Sequence, residues 1–188
     1  MTTATNVSAG KPKVGGAIYT APVGTPLPTN ALDTLDDAFK GLGYVSEDGV
    51  TNGTSMEVEK IKAWGGDNVL IIQKSKDDTF KYVLIEVKNK TVLGYVYGED
   101  NVSGEIDTGI TIKVNNKDVP ERSIVIDMLL RDNTAKRVVI PACKISEVDD
   151  IVYSDDNAIG YGTTVDCTPD SEGNTHYEYI QTVASPSA

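Results

Sequence analysis

The sequence predicts a mainly β protein: an antiparallel β-sandwich or barrel-like subunit with one flanking α-helix, an extended N-terminal arm and a long exposed loop. Three observations carry this. Runs rich in Ile, Val, Thr and Tyr (NVLIIQK, TFKYVLIEV, GITIKV, RSIVIDMLL, RVVIPACKI) recur between clusters of Gly, Asn, Asp and Pro. No helical patterns alternate regularly with them, which favours antiparallel pairing over a βαβ arrangement. The 188 residues suit one domain, a size that buries roughly 70% of its unfolded surface without a disulfide or metal.

The first 30 residues are expected to form an arm. They hold Pro12, Pro22, Pro26 and Pro28 among many Thr, Ala and Gly, a composition that cannot order itself alone. Ile18, Tyr19 and Val23 lie within it, so it should order against its own domain or a neighbour. Residues 31–43 predict a short helix. Thr29 or Asn30 can cap it, Leu32, Leu35, Phe39 and Leu42 recur at helical spacing, and Asp33, Asp36 and Asp37 sit early. Gly41 or Gly43 supplies the left-handed stop. Two or three turns are unstable in isolation, so this helix must dock. Residues 44–56, holding Val45, Asp48 and Val50 and running on into TNGTS, read as an exposed loop.

From Met56 onward the pattern is strand-like, beginning with MEVEKIKAW in an imperfect two-residue period. DNTAK and NNKDVP read as turns between strands. NKTVLGYVYGED is ambiguous: its Val and Tyr content suits a strand, whereas Val92/Leu93 and Val96/Tyr97 fit a helix capped by Asn89 and ended by Gly98. The spacing tips the reading to helix. Residues 31–180 are thus one β domain, and 181–188 a disordered tail.

The charge excludes one class of function. Seventeen Lys and Arg stand against 28 Asp and Glu, a net of −11, the wrong sign for gripping phosphates. The excess concentrates from Pro141 onward, where nine acids meet one base, Lys144. These acids include Asp149, Asp150, Asp155 and Asp156, which solvate a loop or face a surface that must not hold DNA. MTTATNVSAG lacks the basic start and apolar core of a secretory leader. No apolar run approaches the ~20 residues of a membrane span. A soluble protein made in the cytosol, with no membrane partner, is expected.

Catalytic constellations are missing from the pattern. Cys143 and Cys167 match neither zinc nor Cys-x-x-Cys spacing and read as free, buried thiols. His176 is the one histidine, in EGNTHYEYI, and reads as satisfied or solvated. The acidic doublets lack the spacing of a calcium loop, and the Gly-rich AIGYG and WGGDN are not phosphate loops. No enzyme, cofactor or metal is expected.

Several segments, in order, resemble one family. GGAIYTAPVGTPLPT is followed by ALDTLDDAFKGLGYVSEDGV, EKIKAWGGDNV, TFKYVLIEV, VLGYVYG, IVIDM and RVVIPACKISEVDDIVYSDDNAIGYGTTVDCTPD. The combination is similar to the major tail (tail tube) proteins of long-tailed bacteriophages of the siphophage type, from about Gly15 to Asp170. Gly94 within the VYG segment and Cys143 beside the usual Pro depart from the pattern.

The resemblance implies a β-sandwich with a helix beside VYG, in rings of six stacked head to tail around a channel. It implies assembly in the bacterial cytoplasm into a virion tail. Its partners would be further copies, tape-measure and tail-tip or terminator proteins, with DNA passing through without specific binding. Ile18, Tyr19, Val23, Leu32, Leu35, Phe39, Val45, Asp48 and Val50 become candidate inter-subunit contacts. Asp149, Asp150, Asp155 and Asp156 become lumen or surface acids. Two other readings stand beside it: the tube protein of a secretion or contractile injection machine, and a monomeric β-sandwich binding carbohydrate or calcium.

Overall fold

In the computed structural model, which describes residues 2–13 and 16–183, eleven strands and one α-helix follow one another along the chain. The strands are β1 (Lys11–Pro12), β2 (Ile18–Pro22), β3 (Lys40–Gly41), β4 (Val45–Lys62), β5 (Asn68–Leu84), β6 (Val102–Glu105), β7 (Gly109–Ile112), β8 (Arg122–Leu130), β9 (Thr134–Val148), β10 (Tyr161–Cys167) and β11 (Tyr177–Thr182), with α1 (Lys90–Tyr97) between β5 and β6. Nine strands form one antiparallel sheet in the order β3-β2-β8-β9-β10-β5-β4, with β1 added on β8 and β11 on β9; β6 and β7 pair separately.

β9 joins the two halves of this sheet. Its residues 134–139 lie between β8 and β11, while residues 143–148 pair with β10. Apolar side chains alternate across β8 and β9, as a strand period of two requires. Ile124, Ile126, Val138 and Ile140 enter the main core with Ile18, Phe80, Tyr82 and Leu84, beneath Val92, Leu93, Tyr95 and Val96 of α1. Val125 and Val139 point the other way, into a second core with Ala21 and Phe39. Both faces of β8 and β9 are therefore covered, which is why RSIVIDMLL and RVVIP read as continuous apolar runs rather than alternating ones.

The ambiguous segment is a helix. Asn89 Oδ1 accepts from Thr91 N at 3.0 Å, and Gly98 ends it at φ 92°, where a side chain would strain the backbone. Tyr82 and Tyr95 hydroxyls meet 2.6 Å apart beneath it.

The helix expected over 31–43 does not form. Asn30 Oδ1 does accept from Leu32 N and Asp33 N, both at 2.8 Å, and Asp36 Oδ1 accepts from Ala38 N at 2.9 Å. These are local turns in which side chains satisfy amides that a helix would direct elsewhere. The carbonyls of Asn30 and Asp33 accept from Arg137 Nη1 at 3.2 and 2.8 Å, which holds this segment against β9 in its turns. Leu27, Leu35 and Ala38 settle with Phe39 on the second core. Gly43 has φ 68°, yet it serves a close approach rather than a helix end: a Cβ there would lie 2.1 Å from the Glu86 carboxyl carbon.

Three boundaries change. Residues 18–22 of the expected arm are strand β2, paired with β8 within the domain's own sheet. Most of the expected loop 44–56 falls in β4: Val45 and residues 50–56 find partners along β5, while 46–49 bulge between them. Gln181 and Thr182 of the expected tail pair with Ala135 and Thr134, and 184–188 lie outside the described residues. YGTTVDC and YEYIQT form β10 and β11, two strands the sequence reading did not single out.

Candidate assembly surface

β4 and β5 are 18 and 17 residues long, about three times an ordinary strand. Their inner ends belong to the sheet, whereas their outer portions run on together as a two-stranded ribbon. From residue 54 to 74 every described residue is exposed. At ~3.3 Å per residue, the stretch 54–62 reaches roughly 30 Å beyond its root. Pairing continues to Lys62 opposite Asn68, and Ala63 N donates to Asp67 O at 2.8 Å to close the tip.

The ribbon is apolar on both faces. Register places Met56 opposite Lys76, Val58 opposite Gln73 and Lys60 opposite Ile71 on one side. Glu59 opposite Ile72 and Ile61 opposite Leu70 occupy the other. Val69 and Ile71 are 61% and 59% exposed, and Trp64 at the tip is fully so. An isolated two-stranded hairpin is marginal in water, and large exposed apolar patches mark contact surfaces. Its charge is also unlike the rest of the chain: residues 53–75 hold three acids (Glu57, Glu59, Asp67) and three lysines (Lys60, Lys62, Lys74) on a protein of net −11.

The root is held firmly. Asp78 is buried and accepts from Thr54 Oγ1 at 2.6 Å, Thr175 Oγ1 at 2.6 Å and Lys76 Nζ at 3.0 Å. Burial alone would raise its pKa, but these hydrogen bonds and the ammonium outweigh it and lower the carboxyl to about 2. His176, beside Thr175, stands edge-on to Phe80 with ring centroids 5.3 Å apart.

A family model described as phage tail tube protein matches residues 6–187. The chain belongs to the phage tail tube protein family. A search of curated proteins finds no match. As a tail tube protein it is a structural component of the virion tail, which self-assembles into the tube and associates with other tail proteins. No described helix is long and apolar enough to cross a membrane.

The residues singled out from sequence fall into three places in this tail tube subunit. Ile18 is fully buried in the main core and Phe39 is 92% buried in the second. Their apolar area is covered within the subunit. Tyr19 and Leu35 pack beside Phe39, and Val45 and Val50 against the main core, each half-buried. Val23, Leu32 and Asp48 are exposed. Asp149 pairs with Lys81 at 2.9 Å, while Asp150, Asp155 and Asp156 are exposed on the segment between β9 and β10.

Sequence reasoning missed the exposed apolar ribbon of this tail tube protein. The pattern places NVLIIQK among the strands, and it is one, but its four consecutive apolar residues, Val69–Ile72, are exposed. They are apolar on both sides because neither side of the ribbon faces the subunit's own core.

Proposed function

We propose that this subunit stacks as six-membered rings into a hollow tube that conducts DNA during ejection, without binding it specifically and without catalysis. The ribbon of β4 and β5 carries the proposal. A hairpin with Ile, Leu and Val on both faces must be covered on both, and reaching roughly 30 Å it extends onto more than one neighbour. Obligate interfaces of this kind bury 2,000 Å² or more. Tape-measure, tail-tip and terminator proteins would start, measure and end the polymer. The chain's acidic surplus would leave passing phosphates without cation contacts.

The test is negative-stain electron microscopy of concentrated protein, alone and with tail-tip and tape-measure proteins, together with sedimentation velocity. Hollow tubes with six-fold end-on views are expected. A monomer under every condition, with a ligand-dependent rise in melting temperature, would replace this reading with a binding module.

A further inference from the structure

A cleft of about 500 Å³ opens beside α1, between β2 and the start of β8. Its floor includes Tyr95 and Val102, and Lys40, Lys90 and Arg122 stand around it. Among the described residues, two donors there have no partner. Thr20 is 95% buried and its hydroxyl bonds to nothing; Arg122 Nε is likewise unsatisfied, although its Nη2 donates to Glu99 Oε1 at 2.8 Å. Lys90 pairs with Glu105, and Lys40 Nζ meets only the Asp37 carbonyl, at 2.7 Å. Buried donors left unpaired cost free energy that an incoming acceptor recovers. The cleft therefore fits an apolar side chain carried beside carbonyl or carboxylate oxygens.

The segment between β9 and β10 has that chemistry. Val152 and Tyr153 are 65% and 75% exposed, between Asp150 on one side and Asp155 and Asp156 on the other. Among the described residues none of these three acids has an ion-pair partner. The start of the segment is anchored to its own subunit. Asp149 N donates to Gly162 O at 2.8 Å, Asp149 holds Lys81, and Ile151 packs on the main core.

We propose that Val152 and Tyr153 of one copy seat in the α1 cleft of another, with Asp155 and Asp156 meeting Lys40, Lys90 and Arg122. This rests on the tube reading above and deepens it. It assigns these acids to a subunit contact rather than to the wall of the channel. Complementary charge on so acidic a chain gives the contact its orientation, because like-charged surfaces repel every other arrangement.

The experiment uses tubes of full-length chain in which p-benzoylphenylalanine replaces Tyr153, an aromatic for an aromatic. Tubes mixed from ¹⁵N-labelled and unlabelled chains are irradiated, and the linked peptides are identified by mass. Links between labelled and unlabelled chains, landing on peptides that contain Pro22, Lys90–Val102 or Arg122, are expected. Links elsewhere, or within one chain, overturn the contact while leaving the tube reading intact. Absence of tubes from unmodified protein, with and without tail-tip and tape-measure proteins, removes both. A second variant guards against local disruption: Asp155→Lys with Asp156→Lys should raise the concentration needed for assembly at least tenfold. Adding Lys40→Glu and Lys90→Glu in the same chain should restore it, and failure of that rescue also overturns the contact.

Discussion

Arg137 and Asp127 face each other in register across β9 and β8, with Nε 2.6 Å from Oδ1 and Nη2 2.9 Å from Oδ2. Both are buried. The same guanidinium donates through Nη1 to the carbonyls of Asn30 and Asp33, so one side chain ties the 29–39 segment to the centre of the sheet. Removing one member of a buried pair strands the other charge, whereas removing both does not. Arg137→Met should cost about 3–5 kcal/mol in urea unfolding, and Arg137→Met with Asp127→Leu should recover a large part of it. Equal losses in the single and double variants would show that the carbonyl contacts, not the ion pair, hold this region.

Asp78 makes subunit stability depend on acid. Its ordinary pKa of 3.8 falls to about 2 in the folded protein. A depressed carboxyl contributes stability that is complete above its unfolded value and is lost as pH falls through the folded one. Thermal unfolding from pH 5 down to pH 1.5 should show that loss between about pH 4 and pH 2. Asp78→Asn should lower the plateau and remove this part of the slope.

The buried hydroxyl pair of Tyr82 and Tyr95 offers a cleaner cycle. Burial foremost, with their mutual contact, raises the pKa of Tyr82 well above the usual tyrosine range, so both hydroxyls stay protonated in ordinary buffers. Tyr82→Phe leaves Tyr95 oxygen unpaired and should cost about 1–3 kcal/mol. Tyr82→Phe with Tyr95→Phe should cost less than the sum of the two single changes. Simple additivity in denaturant titrations would mean the hydroxyls do not depend on each other.

Leu70→Lys with Ile72→Lys places two charges on one face of the ribbon. Folding of the subunit should change by no more than about 0.5 kcal/mol, as for exposed positions elsewhere. Tube formation should be lost. Unaltered tubes by electron microscopy would remove this face from the assembly.

Cys143 and Cys167 stand opposite each other on β9 and β10. Burial foremost, then the facing thiol, raises Cys143, and burial foremost with Asp78 and Asp166 pushes Cys167 up to about 12. At pH 8 the thiolate of Cys167 should then be on the order of a thousandfold scarcer than in an unperturbed cysteine. Alkylation by iodoacetamide should be slow in buffer and rapid in guanidinium. Fast native labelling of Cys167 would contradict the burial.

Much of the fold was legible because local pattern and tertiary setting agree. The strands around Ile124–Ile126 and Val138–Ile140 are β-branched and buried on both faces, and Asn89 and Gly98 mark the ends of α1. The 31–43 segment misled because its caps and spacing are real signals for a helix start. Arg137, more than a hundred residues away in sequence, binds the carbonyls of Asn30 and Asp33 and draws the segment onto the sheet. Nothing local announces that. The ribbon misled for the opposite reason: alternation is enforced where one face is buried, and the outer parts of β4 and β5 have no buried face.

β9 threads both halves of the sheet as one unbroken stretch of backbone, bonded to β8 and β11 at its start and to β10 at its end. Under axial load, when a tail bends or its tip strikes a cell surface, these halves cannot slide apart without shearing a row of hydrogen bonds along that strand. A close-packed interior transmits strain rather than absorbing it. Load on one half of the sheet is therefore carried into the other through the backbone of β9.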